Sequence, residues 1–116
     1  DAQESRGLGD VYKRQGQVGW NGQQQFESDD LADQVRQTLA NIVAILAEGG
    51  AKPEHIVRMT WYVTDKDAYV AAYPEIGKHY RELIGRHFPA MTAVEVADLV
   101  EDRAKVEIEV TAVVPG

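Results

Sequence analysis

The sequence contains no cysteine, which removes disulfides, thiolate metal sites and cysteine nucleophiles from consideration. No apolar run approaches the roughly 20 residues that span a bilayer, and the polar start lacks the apolar region of a signal peptide. The expectation is a cytoplasmic protein with no membrane partner. Positive charge is also short: 12 Lys and Arg stand against 19 Asp and Glu, a formal net charge of -7. Nucleic-acid affinity comes mainly from cations that neutralise phosphates, so no nucleic-acid partner is expected. Histidine is scarce and scattered. His55, His79 and His87 share no ligand spacing, and no metal site is expected. What remains is a chain of 116 residues, 44% hydrophobic, enough for one core and one domain.

Residues 5–15, from Ser5 to Gln15, resemble what a transposase-based sequencing adapter encodes when read in frame; the alternative is a natural Gly-rich loop followed by a short strand. The adapter reading is preferred, so residues 1–15 are expected to be a non-native leader without fold information, with a single domain over 16–116 and a natural first strand missing. Resequencing the locus tests this. An upstream frame encoding a different start is the expected result, and the same codons in independent clones would contradict it.

From Gly16 to Trp20 the chain reads as a short strand, with Asn21-Gly22 as a two-residue turn and Gln23 to Phe26 as a return arm. Ser28-Asp29-Asp30 opens a helix over about 30–48, in which Leu31, Val35, Leu39, Ile42 and Leu46 recur at three- and four-residue spacing. Asp33, Gln34, Gln37 and Asn41 fall elsewhere around its axis. Gly49-Gly50 ends it and Pro53 prevents resumption. A second helical region reaches Ile84 and stops at Gly85. Because proline inside a helix removes a hydrogen bond and clashes with the preceding turn, the region divides into a short turn over 67–72 and a main helix with Pro74 in its first turn.

Three stretches alternate with period two: 56–63, 88–96 and 105–113. The short polar break between the last two suggests that they pair as neighbours. Val94, Val96, Val106, Ile108 and Val110 form one apolar face, and Met91, Ala93, Glu95, Glu107, Glu109 and Thr111 the other. In 56–63 the alternation places Val57, Met59, Trp61 and Val63 in the core, with Ile56, Arg58, Thr60 and Tyr62 opposite. Arg58 is expected to form a structural ion pair with Glu95 or Glu109. Two helices most simply share one face of such a sheet, giving an α+β fold. The half-polar opposite face is of a kind commonly buried between subunits of a symmetric oligomer.

Taken together, Gly16-Gln17, the helix ending in Gly-Gly, the run from Arg58 to Asp65, Phe88-Pro89-Ala90 and Val106-Glu107-Ile108-Glu109 resemble the reactive-intermediate deaminase family (RidA/YjgF) over about residues 16–114. The resemblance implies a chorismate-mutase-like mixed sheet with two helices packed on one face, a homotrimer, and small-molecule clefts between subunits. For active members it implies hydrolysis of enamine and imine intermediates released by pyridoxal-phosphate enzymes, with no cofactor of their own. It also assigns Glu107 to the glutamate that positions the attacking water, and Gly16 to a glycine whose backbone lines the cleft. Where those members hold the substrate carboxylate with an arginine, this chain has Met91, and their small polar or cysteine position two residues on is Ala93. A cleft position that is often asparagine falls near Pro74. A thioether cannot make the bidentate, charge-assisted pair of a guanidinium.

Two functions follow as expectations: an imine deaminase whose substrate is not the standard 2-imino acid, or a catalytically silent relative that binds a small metabolite in the same cleft. An endoribonuclease has no physical support in so acidic a chain.

Overall fold

The computed structural model describes residues 10–13 and 17–114. In chain order these form β1 (Asp10–Lys13), β2 (Gln17–Val18), α1 (Leu31–Glu48), a 3-10 turn (Pro53–His55), β3 (Ile56–Val63), α2 (Lys66–Ala71), α3 (Tyr73–Leu83), β4 (Ala90–Glu95) and β5 (Val106–Val114). Asp10–Lys13, inside the expected leader, pair antiparallel with the end of β5, and β2 follows them along the same β5 edge.

The sheet runs β1-β5-β3-β4, with β3 antiparallel to β5 and parallel to β4. It is a mixed sheet with helices on one face, as expected. The expected pairing of the last two strands does not occur, because β3 lies between them. The connection 96–105 is long enough to carry the chain over β3, so sequence adjacency does not force a hairpin.

Helix α1 forms because its apolar residues fall on one stripe: Val35, Leu39, Ile42 and Leu46 are fully buried. Each such side chain contributes roughly 1.5–3 kcal/mol through burial. The Asp30 carboxylate accepts the Asp33 amide at 3.0 Å and caps the start. Gly50, at φ 76°, turns the chain away after the last turn. The short helix, Pro74 and main helix fall as expected, with Asp65 capping α2. Among the described residues no helix is long and apolar enough to cross a membrane.

The core lies between α1, α3 and the inner sheet face, where Met59, Trp61, Val63, Val106, Ile108 and Val110 are buried. At the start of β3 the expected faces are exchanged: Ile56 is buried and Val57 is exposed. The register explains this, since Ile56 pairs with Ala112 and Arg58 with Thr111, so Val57 is an extra, bulged residue. The turn near residue 21 also differs. Trp20 bridges Phe26, and Gln24 rather than Gly22 takes the left-handed conformation, φ 61°. The Asn21 side chain accepts the Gln23 and Gln25 amides at 2.9 and 3.1 Å, stabilising this wider loop.

Candidate functional site

Strand register sets which side chains share a surface. Tyr62 lies beside Glu107 and Thr60 beside Glu109, so both glutamates point to the sheet face away from the helices. On the other side of β3, Met59 is paired with Met91, Trp61 with Ala93 and Val63 with Glu95. Met91, Ala93 and Glu95 therefore face the helix side, and Val94 shares the outer face with Tyr62 and Glu107. This reverses the face expected for β4. Every residue of that edge strand is exposed in the single chain, so its apolar and polar alternation carries no record of which side is inward.

The expected Arg58 ion pair is likewise absent among the described residues. Glu95 lies on the opposite face and accepts the Lys66 amide at 2.7 Å at the start of α2. Glu109 stands across from Thr60 and makes no ion pair with Arg58. Gly16 lies outside the described residues.

On the outer face Glu107 is half-buried, and its proton affinity is raised, first by burial and then by repulsion from Glu109 two residues along the strand. No described residue makes a hydrogen bond to its carboxylate. A carboxylate held this way is a better proton acceptor than a solvated one and remains free to meet water or a ligand.

On the helix side, the α3 residues Tyr73, Ile76, Gly77, Tyr80 and Arg81 face Phe88, Pro89 and Met91 across a cleft of about 360 Å³ with Trp61 at its base. The wall at 87–88 is fixed by hydrogen bonds. Tyr80 donates its hydroxyl to the His87 carbonyl at 2.6 Å, and His87 Nε2 donates to the Ile56 carbonyl at 2.6 Å. Tyr80 also stacks on Phe88 at 5.8 Å, although Phe88 is 73% exposed. Burial raises the Tyr80 pKa, so its hydroxyl stays a neutral donor at physiological pH. Met91 is 47% exposed along the cleft. Ala93 lines an adjoining hollow with Lys66, Tyr69 and Glu95, and Tyr73 borders both spaces.

Two polar groups of the cleft are not signalled by the alternation or the capping pattern. Trp61 is buried, yet its Nε1–H has no acceptor among the described residues, a defect that typically costs about 1–3 kcal/mol. Arg81 makes no ion pair among the described residues. The only sequence signal for it is its place one helical turn after Gly77, flanking the stripe of Tyr73, Ile76 and Tyr80. Among the described residues no three His, Asp or Glu side chains cluster as a metal ion would require.

The three expected site residues that are described thus stand on opposite faces of one sheet: Glu107 outside, Met91 and Ala93 on the helix side. One chain does not bring them to a common point.

A family model described as endoribonuclease L-PSP matches residues 7–114. A RutC family protein of Pasteurella multocida is 34% identical over 106 residues, covering 91% of this chain and 81% of its own length. The 2-iminobutanoate/2-iminopropanoate deaminase of Escherichia coli is 35% identical over 109 residues, with the same shares covered. Among solved structures, Escherichia coli TdcF with bound serine superposes with a TM-score of 0.74 at 29% identity, covering 95% of this chain and 84% of that one.

Proposed function

Because this chain belongs to the RidA/YjgF family, matched by the endoribonuclease L-PSP model, we propose that it hydrolyses the imine or enamine form of a small metabolite at a cleft shared between copies of the chain. The observation that carries this reading is Glu107, half-buried beside Glu109 with a raised proton affinity. Hydrolysis needs water delivered to the imine carbon and a proton for the departing nitrogen. Glu107 accepts the water proton as the carbon–oxygen bond forms, then returns it to nitrogen. In the carbinolamine so formed, Glu107 takes the hydroxyl proton and passes it to the nitrogen as the carbon–nitrogen bond breaks, leaving a carbonyl compound and ammonia. No cofactor takes part in these steps.

The opposite placement of Glu107 and Met91 supports a site between subunits. The outer face of one copy would supply Glu107, and the α3–β4 edge of its neighbour would supply the cleft. A homotrimer satisfies this with three equivalent sites, and a monomeric mass in light scattering would contradict it. Relatives support the chemistry through the deaminase named in Escherichia coli, and TdcF shows a family member holding an amino acid. RNA cleavage finds no support in a net charge of -7.

Met91 limits the substrate. Without two charge-assisted hydrogen bonds at this position, small 2-imino acids are held about a hundredfold more weakly. Met91→Arg is expected to raise kcat/KM for enzymatically generated 2-iminopropanoate by about that factor. Ammonia release at equal protein concentration checks it, and an unchanged or lower rate would remove position 91 from the substrate site. The same methionine favours a second reading, a silent relative that binds a metabolite without turning it over. That reading predicts ligand-induced thermal stabilisation with ammonia release at the buffer rate.

A further inference from the structure

We infer that the cleft between α3 and β4 binds a small carboxylate with a large apolar body, and that Arg81, not the residue at position 91, takes the carboxylate. This rests on the cleft being the substrate site of the proposed function and names the substrate class.

Three observations converge on it. First, Arg81 lines the cleft and has no ion pair or hydrogen bond among the described residues. A guanidinium has five donors in a planar fork that matches a carboxylate. It reaches back over the helix surface: a first side-chain carbon placed on Gly77 would lie 3.4 Å from Arg81 Nη1. The guanidinium thus lies back along α3, over the turn that borders the cleft, where Arg81 remains exposed and open to a ligand.

Second, the walls are apolar. Tyr73, Ile76, Tyr80, Phe88 and Pro89 surround a volume of about 360 Å³, far more than a three-carbon acid fills. Met91 belongs to this wall, where a flexible thioether packs against varied apolar shapes. Third, Trp61 at the base holds a buried Nε1–H without an acceptor among the described residues. A ligand oxygen or nitrogen at the bottom of the cleft would supply one. A cation at one border, an aromatic wall and an unpaired donor at the base describe a site for a 2-oxo or 2-imino acid with an aromatic or branched side chain. Charge at 91 is unnecessary for such a ligand because Arg81 already provides it.

Equilibrium binding of phenylpyruvate and of its methyl ester, followed by tryptophan fluorescence and calorimetry, tests this on the whole protein, Arg81→Gln and Arg81→Lys. The natural protein is expected to bind the acid at least about tenfold more tightly than the ester. Arg81→Gln should lose roughly 10- to 100-fold for the acid and leave the ester within about twofold, while Arg81→Lys recovers part of the loss. Equal affinity of acid and ester, an Arg81→Gln protein that keeps full acid affinity, or no binding of either probe because a second copy fills the cleft would each overturn the inference. Acid-selective binding lost in Arg81→Gln, without turnover of the matching imine, leaves the inference standing and removes the hydrolytic function. Turnover indifferent to Arg81→Gln does the reverse.

Discussion

Glu107→Gln is expected to lower kcat/KM for imine hydrolysis by about 10²- to 10⁴-fold, the range for loss of a general base, while phenylpyruvate still binds. Glutamine keeps the size and hydrogen-bonding reach of the side chain but accepts no proton from water. Initial rates of ammonia release, with binding measured on the same preparations, read the two effects separately. The pH profile gives a second check. Hydrolysis needs ionised Glu107, so the rate falls as pH drops through its pKa. That pKa is raised by burial and by Glu109, so the acid limb lies above the ordinary carboxylate range. The sign for stability is opposite to that of a paired carboxylate. A raised folded-state pKa means the folded chain binds this proton more tightly than the unfolded chain. Ionisation of Glu107 therefore costs stability as pH rises from the unfolded value through the folded one. Glutamine removes that cost, so Glu107→Gln should melt no lower than the natural protein near neutral pH. Lost activity accompanied by a lower melting temperature would contradict the assignment.

Gln34→Leu is expected to destabilise the fold by about 3 kcal/mol, a drop in Tm on the order of 10 °C. Gln34 sits on α1 but is 1% exposed, and its amide joins three distant backbone groups. Nε2 donates to the Ser28 and Arg103 carbonyls, both at 2.9 Å, and Oε1 accepts the Lys105 amide at 2.8 Å. Leucine fills similar space and leaves all three unpaired. Gly19 shows how closely the chain packs here, because a methyl group on it would lie 2.8 Å from the Gln34 backbone. The latch fixes where the 96–105 connection enters β5, and so sets the position of Glu107. Thermal unfolding by circular dichroism measures the effect, and a shift under about 1 kcal/mol would mean that water replaces the side chain at no great cost.

The residues that sequence reasoning located well are those whose burial repeats. The α1 stripe and the break at Pro74 are local signals, and both elements stand where their spacing puts them. Misplaced features depend on partners far along the chain. A bulge at Val57 shifts the phase of β3 by one residue, and no alternation within the strand reveals an insertion made relative to β5. β4 carries apolar residues on both faces and is exposed along its length, so only its register with β3 assigns Met91 inward and Val94 outward. Gln34 looks like a solvated helix residue because the carbonyls it meets belong to segments near 28 and 103. The candidate site divides the same way. The resemblance nominates Glu107, Met91 and Ala93, whereas Arg81 and the Trp61 Nε1–H, unpaired among the described residues, emerge only when α3 is laid over β3 and β4.

Imine hydrolysis is tested most directly by ammonia release from 2-imino-3-phenylpropanoate, generated from phenylalanine by an amino acid oxidase, with increasing amounts of the natural protein. Release that exceeds the buffer rate in proportion to protein, and that returns to the buffer rate with Glu107→Gln, is the predicted result. Release at the buffer rate for this imine and for 2-iminopropanoate alike, from protein that binds phenylpyruvate, would contradict hydrolysis and leave a binding protein on a deaminase fold.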